Sequence, residues 1–552
     1  MLHRESRQDS TQNFYQIINS VSFLKHVLGF FLMALFLQSC HDNVLNPYKN
    51  LDLNSLEELK SSSYSLNSRE IRSYLKTMIK EDRDSMIPDY RTRGYYLNDG
   101  TFLWIDRHGL DARSDTLMNY LSSVEKMGFS KKKFMIPQIE KDLKCIRELD
   151  LVNDGDTIDI NQVMARLEYN LTKAYLRYSG GQRYGFVNPT YLLNRIDEKE
   201  PVNKGENDTT DYEILFDIPI EHASNSFYYK ALSKVSNDSV SEFLQDVQPK
   251  DMLYKRLITC LQDENIRFDQ RKKYVCNLER CRWRIKNFKE FPNKYVMVNI
   301  PAFQLYAHDG KNVLPMRVVC GKYNTKTPLL CSSIKRMDIN PQWIIPKSIV
   351  EKEVIRHAGN KQWFDNHHYY IRNRKTGKRI EPYKVSWGML KSGDYMVVQE
   401  GGNGNSLGRI IFRFDNKFSV FLHDTSSPGV FGRDYRGASH GCVRVQKPFD
   451  LAVFMLKNKD KSIIEKIGYS MTADVSKRHV ESYIDPDTGE IVEVKDTLDK
   501  KKLIGSLDVS PEVPVYIQYY TVFPDENNEL REYKDVYGYD QVISRHLNNY
   551  MD

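Results

Sequence analysis

Charge of one sign and long apolar runs are both scarce in this 552-residue chain. Its 80 lysines and arginines stand against 73 aspartates and glutamates, a formal net charge of +7. Spread over this length, the excess is too dilute for a dedicated nucleic-acid-binding surface, and no nucleic-acid partner is expected. With 28 glycines, 20 prolines and 40% apolar residues, the chain is neither collagen-like nor mostly disordered. It has the length of three or four average domains, or fewer if one fold is large. No internal repeat stands out.

Metal and phosphate sites are also missing. Cys276 and Cys281 lack the second close Cys or His pair that a zinc site needs, and the adjacent His367 and His368 have no carboxylate or cysteine at ligand spacing. The glycine-rich stretch Gly402-Asn403-Gly404-Asn405-Ser406-Leu407-Gly408 lies between strand-like segments and opens no helix, against a nucleotide loop. No metal or organic cofactor is implied.

What the chain does have near one end is the apolar run Val27–Leu37, preceded by Lys25 and His26 and followed by Gln38-Ser39-Cys40. Eleven residues are too few to span a bilayer comfortably but fit the ~7–15-residue apolar core of an export signal. Leu37-Gln38-Ser39-Cys40 resembles the lipobox of bacterial lipoproteins, which implies lipidation of Cys40; an uncleaved anchor is the alternative. Either way the rest of the chain is expected in the cell envelope, tethered to a membrane and facing the periplasm. Seven further cysteines remain, an odd number, so one thiol stays free if the rest pair.

The reading along the chain is α+β. Residues 1–40 form the signal segment and 41–66 a polar tether, followed by a mainly helical scaffold over 67–293. There Leu117, Met118, Leu121 and Val124 repeat at helical spacing before Gly128, and Ile160, Val163, Met164, Leu167, Leu171 and Ala174 form a second stripe. Residues 195–212 read as a loop and 485–502 as a solvated insertion. From Lys294 the pattern turns to strands: Tyr295–Ile300, then Phe303–Ala307 and Val313–Val319 about the hairpin signal Asp309-Gly310. Tyr395–Gln399, Arg409–Phe414, Phe418–Leu422 and Val513–Val522 continue it, giving a β-rich domain over 294–545. Residues 347–391, with Trp363, His367, His368, Tyr369, Tyr370 and Trp387, break the rhythm and read as an inserted subdomain with the two tryptophans in its core.

The chemistry converges in Phe421–Val445. His423 ends a strand candidate and precedes Ser439-His440-Gly441-Cys442-Val443-Arg444. A cysteine near pKa 8.5 is only a few per cent thiolate at neutral pH and needs a base, which His423 can supply. Gly441 allows close backbone approach, so the N–H groups of Gly441 and Cys442 could form an oxyanion hole.

His423, fifteen residues, then Ser439-His440-Gly441-Cys442-Val443-Arg444 resembles the signature of bacterial L,D-transpeptidases with the YkuD-type catalytic domain. Leu422-His423-Asp424-Thr425, Gly432-Arg433-Asp434, Leu407-Gly408-Arg409, Asn340-Pro341-Gln342-Trp343 and Asp535-Val536-Tyr537-Gly538 look like the large YcbB-like branch. The resemblance implies a helical scaffold, a β-rich catalytic domain and a capping insertion. It implies Cys442 as nucleophile acting on peptidoglycan stem peptides, His423 as general base and acid, and the Asp424 carbonyl orienting the histidine. Arg444 is expected at a substrate carboxylate or in an internal ion pair. Ser439, His440, Asp424 and Trp387 complete the expected substrate edge, Ser439 mainly as a hydrogen-bond support. The thioester would pass to a second stem peptide, to water or to a protein amine; a non-catalytic wall-binding lipoprotein is the rival of another class. The branch's compact helical peptidoglycan-binding module is not found here.

Overall fold

The computed structural model describes residues 58–60 and 65–551, apart from 107–108, 111, 149–151, 154–155, 200–210, 289, 474, 476–481, 485–487 and 494–497. The export segment, Cys40 and most of the tether lie outside the described residues, as do parts of the 195–212 loop and the 485–502 insertion. The chain divides into two compact units. One comprises residues up to 122 with 134–178 and 225–246; the other comprises 123–133, 179–224 and 247–552.

The first unit is helical. Asn67 caps the helix Ser68–Glu81 by accepting the N–H groups of Arg69 and Glu70, and Ile71, Leu75 and Ile79 recur on its buried face. The apolar stripe beginning at Ile160 forms the helix Ile160–Tyr184. Within this unit it is buried almost all round rather than on one stripe, because its inward polar groups find partners. The fully buried Glu168 carboxylate accepts N–H groups from Leu103, Trp104 and Ile105 at 2.6, 3.0 and 3.2 Å and the Tyr96 hydroxyl at 2.6 Å. Lys173 pairs with Asp82 at 2.8 Å, and Arg177 with the buried Asp89 at 2.7 Å. Burial raises the Glu168 pKa despite these donors.

The second unit is built on a ten-stranded sheet. In spatial order its strands are Ile410–Phe414, Leu422–His423, Val443–Val445, Asn312–Gly321, Gln304–Asp309, Lys294–Asn299, Ser506–Gln518, Leu329–Ile339 and Phe216–Asp217. Gly437–Ser439 pairs alongside Asn312–Gly321, and Ile410–Phe414 also pairs with Leu329–Ile339, so the sheet closes on itself. Val296, Val298, Val318, Ile334, Phe412, Leu422, Val443, Val445 and Val515 fill its interior. Closure leaves no long open edge.

The hairpin at Asp309-Gly310 forms, with Gly310 at φ +59°. Two strand readings change. Leu329–Ile339, unmarked in the pattern because Ser332, Ser333, Lys335 and Arg336 interrupt its apolar residues, pairs on both sides with Ser506–Gln518 and Ile410–Phe414. Phe418–Leu422 reduces to Leu422–His423, since Ser419 takes φ +54° and Asn416 ties the turn by accepting the N–H groups of Phe418 and Val420.

The insertion is wider than 347–391. Its own sheet runs Trp343–Ile344, Tyr395–Gln399, Tyr369–Asn373, Arg379–Ile380. Tyr395–Gln399 therefore belongs to the insertion and not to the main sheet, and the supposed break at Tyr369 is a strand paired with it. Ile345, Val350, Val354, Phe364, Ile371, Val385, Leu390 and Val397 form its core. Trp363 packs against that core, with its indole stacked on His357 and His367, each at 4.1 Å. Trp387 is instead 54% exposed, because it starts the short helix Trp387–Ser392, whose buried residue is Leu390.

Candidate active site

Two adjacent strands of the closed sheet bring the predicted nucleophile and base to one place. Leu422–His423 runs parallel to Val443–Val445, with Leu422 opposite Val443 and His423 opposite Arg444. Cys442 precedes Val443 and is thereby level with Phe421, whose carbonyl accepts the Val443 N–H at 3.0 Å. The apolar residues on either side, Leu422, Val443 and Val445, anchor both strands in the core.

His423 is 4% exposed. Its Nδ1 lies 2.6 Å from the Asp424 carbonyl oxygen, which can only accept, so Nδ1 carries the proton and Nε2 is the unprotonated nitrogen. Burial lowers its pKa to about 4, helped by the positive charge of Arg444 and opposed by the Asp424 and Leu407 backbone. The imidazole is thus neutral at pH 7. The ring's partner on Asp424 is the carbonyl, whereas the carboxylate Oδ2 accepts the Arg409 N–H at 2.8 Å, and burial raises its pKa. It ties the strand that carries His423 to the preceding loop.

Cys442 is half-buried, and burial raises its thiol pKa, partly offset by the Phe421 backbone and the Arg444 charge. Sγ lies 3.7 Å from the Ser419 carbonyl oxygen, and among the described residues no hydrogen bond joins it to His423. The resting pair is therefore a neutral thiol beside a neutral imidazole, a general-base arrangement rather than a preformed ion pair.

The backbone between Ser439 and Cys442 is held at its carbonyls. Ser439 O accepts the Lys322 N–H at 3.1 Å and the Thr325 hydroxyl at 3.0 Å. Thr327 donates its hydroxyl to Gly441 O at 2.8 Å, and Ser439 donates its hydroxyl to Cys442 O at 2.6 Å. Gly441 takes φ +117°, a region that disfavours side chains. Of the two expected oxyanion donors, Gly441 N–H instead meets Ser439 Oγ at 3.2 Å, because that hydroxyl sits inside the turn. Cys442 N–H has no acceptor among the described residues.

Arg444 makes no ion pair among the described residues, and its Nε is buried without a hydrogen-bond partner. Burial lowers its pKa. A guanidinium with its Nε–H unsatisfied and no carboxylate partner among the described residues suits an incoming carboxylate. His440 points outward, its Nε2 3.1 Å from Glu353 of the insertion, both side chains about half exposed. Trp387 is exposed, with Lys391 Nζ 4.7 Å from its ring. Sequence reasoning missed Thr327 and Glu353, whose neighbours in the chain carry no motif that marks them.

Comparison with known proteins accords with this geometry. Residues 293–464 match the YkuD family, described as the L,D-transpeptidase catalytic domain, and residues 90–261 match the family described as a Scaffold domain. A Haemophilus influenzae protein named "Putative L,D-transpeptidase" is 26% identical over 333 residues, 59% of this chain and 60% of its own length. The chain thus spans about 60% of the length of that curated relative. An L,D-transpeptidase structure from Mycobacterium smegmatis shares 12% identity over 29% of this chain and 53% of that one, with a TM-score of 0.17. The Ldtfm–avibactam carbamoyl enzyme shares 12% identity over 31% of this chain and 47% of its own, also at 0.17. Superpositions this slight add nothing to the family match, whose residues 293–464 include the strands that carry His423 and Arg444.

Proposed function

We propose that the protein is a peptidoglycan L,D-transpeptidase that forms 3→3 cross-links through a thioester on Cys442. The observation that carries the reading is the meeting of Cys442, a neutral His423 with Nε2 unprotonated, and an unoccupied Cys442 N–H on two strands of a YkuD domain. In this reading His423 takes the thiol proton as Sγ attacks the carbonyl between the third-position diamino acid and D-Ala of a tetrapeptide stem. Cys442 N–H stabilises the oxyanion. The C–N bond breaks, the proton passes from His423 to the departing amine, and D-Ala leaves. The side-chain amine of a second stem's diamino acid then attacks the thioester, and the thiolate departs and regains a proton. Arg444 meets a stem carboxylate. The likeness to the YcbB-like branch, the lipobox at Cys40 and the envelope location belong to the same proposal and rest on the sequence segments that suggested them.

The test is mass spectrometry of muropeptides after incubation of the purified protein with disaccharide tetrapeptides, beside Cys442→Ala. A dimer with a 3→3 bond, absent with the variant, is expected. Tripeptide alone would move the assignment to a carboxypeptidase, and neither product from folded protein would overturn it in favour of a binding protein.

A further inference from the structure

The carbonyl of Gly441 and the N–H of Cys442 belong to one peptide unit. A trans peptide is planar, so its C=O and N–H point in opposite directions. Whatever holds Gly441 O therefore also aims Cys442 N–H. That holder is Thr327, fully buried in the connection between the strands Asn312–Gly321 and Leu329–Ile339. Its Oγ1 donates to Gly441 O at 2.8 Å and accepts the Gly321 N–H at 2.9 Å, so both functions of the hydroxyl are committed.

Thr327 is itself braced from the far end of the chain. Its N–H donates to Tyr537 Oη at 3.2 Å, and Tyr537 Oη donates to Gly321 O at 2.8 Å. Tyr537 N–H donates to Tyr519 Oη at 2.8 Å, and that hydroxyl donates to Asp535 Oδ1 at 2.6 Å. Tyr519 and Tyr537 are at most 2% exposed. All three lie beyond residue 464, where the match to the catalytic domain ends.

We infer that Thr327 is a positioning residue that aims the Cys442 N–H at the developing oxyanion, and that the C-terminal segment through Tyr537 holds Thr327 in place. The inference rests on Cys442 being an acyl-accepting nucleophile, as proposed above, but not on the identity of the acyl donor.

This separates two kinds of thiol chemistry. Acylation passes through an oxyanion, whereas alkylation by iodoacetamide forms an S–C bond and expels iodide without one. The experiment compares full-length protein with Thr327→Val, Thr327→Ser and Tyr537→Phe, following both p-nitrophenyl acetate acylation and iodoacetamide alkylation of Cys442 by intact mass, with Tm as the folding control. Thr327→Val keeps shape and loses the hydroxyl; it is expected to slow acylation about 10²-fold and alkylation by less than about twofold. Thr327→Ser is expected to recover most of the acylation rate, and Tyr537→Phe to lose several-fold. Equal losses in both reactions, no loss in Thr327→Val, or no recovery in Thr327→Ser would overturn the inference. Because the ester needs no stem-peptide recognition, wild-type protein that reacts with the ester but not with tetrapeptide stems would overturn the proposed function while leaving this test decisive.

Discussion

The helical unit carries charges inward, whereas the core enclosed by the closed sheet is apolar, with buried polar groups of its unit on the nucleophile loop, the Tyr519–Tyr537 network and the helix Phe268–Arg282. Glu168, Lys173 and Arg177 sit inside the first, each with partners at 2.6–2.8 Å. Val296, Val318, Ile334, Phe412, Leu422 and Val443 fill the second and are fully buried. Removing one partner from a buried ionic network leaves an unsatisfied group, while an apolar interior tolerates other apolar residues of suitable volume. The difference teaches that stability in the helical unit depends on a few specific pairings. In the closed sheet chemistry depends on a few specific hydrogen bonds, and the stability of its apolar core on packing.

The comparison breaks most sharply if the two kinds of residue exchange effects. His423→Ala should lower acylation of Cys442 per folded molecule by ~10²–10⁴-fold; stopped-flow acylation on material shown to be folded by its melting curve decides it. Unchanged acylation would remove His423 from the base role.

Glu168→Ala should do the reverse. It strands the Leu103, Trp104 and Ile105 N–H groups away from water and should cost about 3–5 kcal/mol of stability by urea denaturation, without lowering acylation per folded molecule. A loss under about 1 kcal/mol would mean that the buried carboxylate is not what holds this unit.

Acid should pull the two regions in opposite directions. His423 resists protonation until about pH 4 when folded, against about 6.5 when unfolded. Between those values the unfolded state binds the extra proton. The contribution of His423 is therefore full above about pH 6.5 and lost as pH falls towards 4, on the order of 3 kcal/mol. Glu168, with its raised pKa, runs the other way: its folded state takes up the proton first, so its cost is relieved as pH falls through the folded value. Melting temperatures from pH 7 to 4 should fall less steeply in His423→Gln than in the wild type and more steeply in Glu168→Gln. Parallel curves for all three would refute both assignments. Because the folded imidazole stays neutral, acylation should also persist at pH 5, where an unperturbed histidine would be mostly protonated.

The smallest effect is expected at the contact between the insertion and the nucleophile loop. Glu353→Gln removes the charged partner of His440, both half exposed. Such pairs contribute about 0–1 kcal/mol, so the shift in Tm should be barely measurable. A larger loss would show that the insertion is a structural part of the loop and not a neighbour of it.

Much of this was readable in advance where the signal is local. The hairpin at Asp309-Gly310 follows from turn chemistry within a few residues. The α+β order follows from the change of hydrophobic period near Lys294, and Gly128 ends the Glu125–Met127 turn at φ +84°. Legibility failed where partners lie far apart. Leu329–Ile339 is polar at its middle yet central in the sheet, because strands from residues 410–414 and 506–518 satisfy its backbone. Tyr395–Gln399 has a strand pattern that cannot say which sheet takes it. The helix Ile160–Tyr184 shows its apolar stripe plainly, but its buried charges depend on Asp82 and Asp89, far upstream.

By itself the sequence displayed the chemistry on offer: a cysteine nineteen positions after a histidine, with glycine before the thiol, the residue types that an activated thiol nucleophile needs. Only the tertiary structure decided how the pair rests and which donor faces it. His423 is neutral because the sheet buries it beside Arg444. Gly441 N–H turns to Ser439, and Cys442 N–H is left open by a hydroxyl from Thr327 and a brace from Tyr537. Protonation follows local dielectric and nearby charge, and a peptide's direction follows whatever grips its carbonyl. Both are set by neighbours in space, about which the order of residues along the chain is silent.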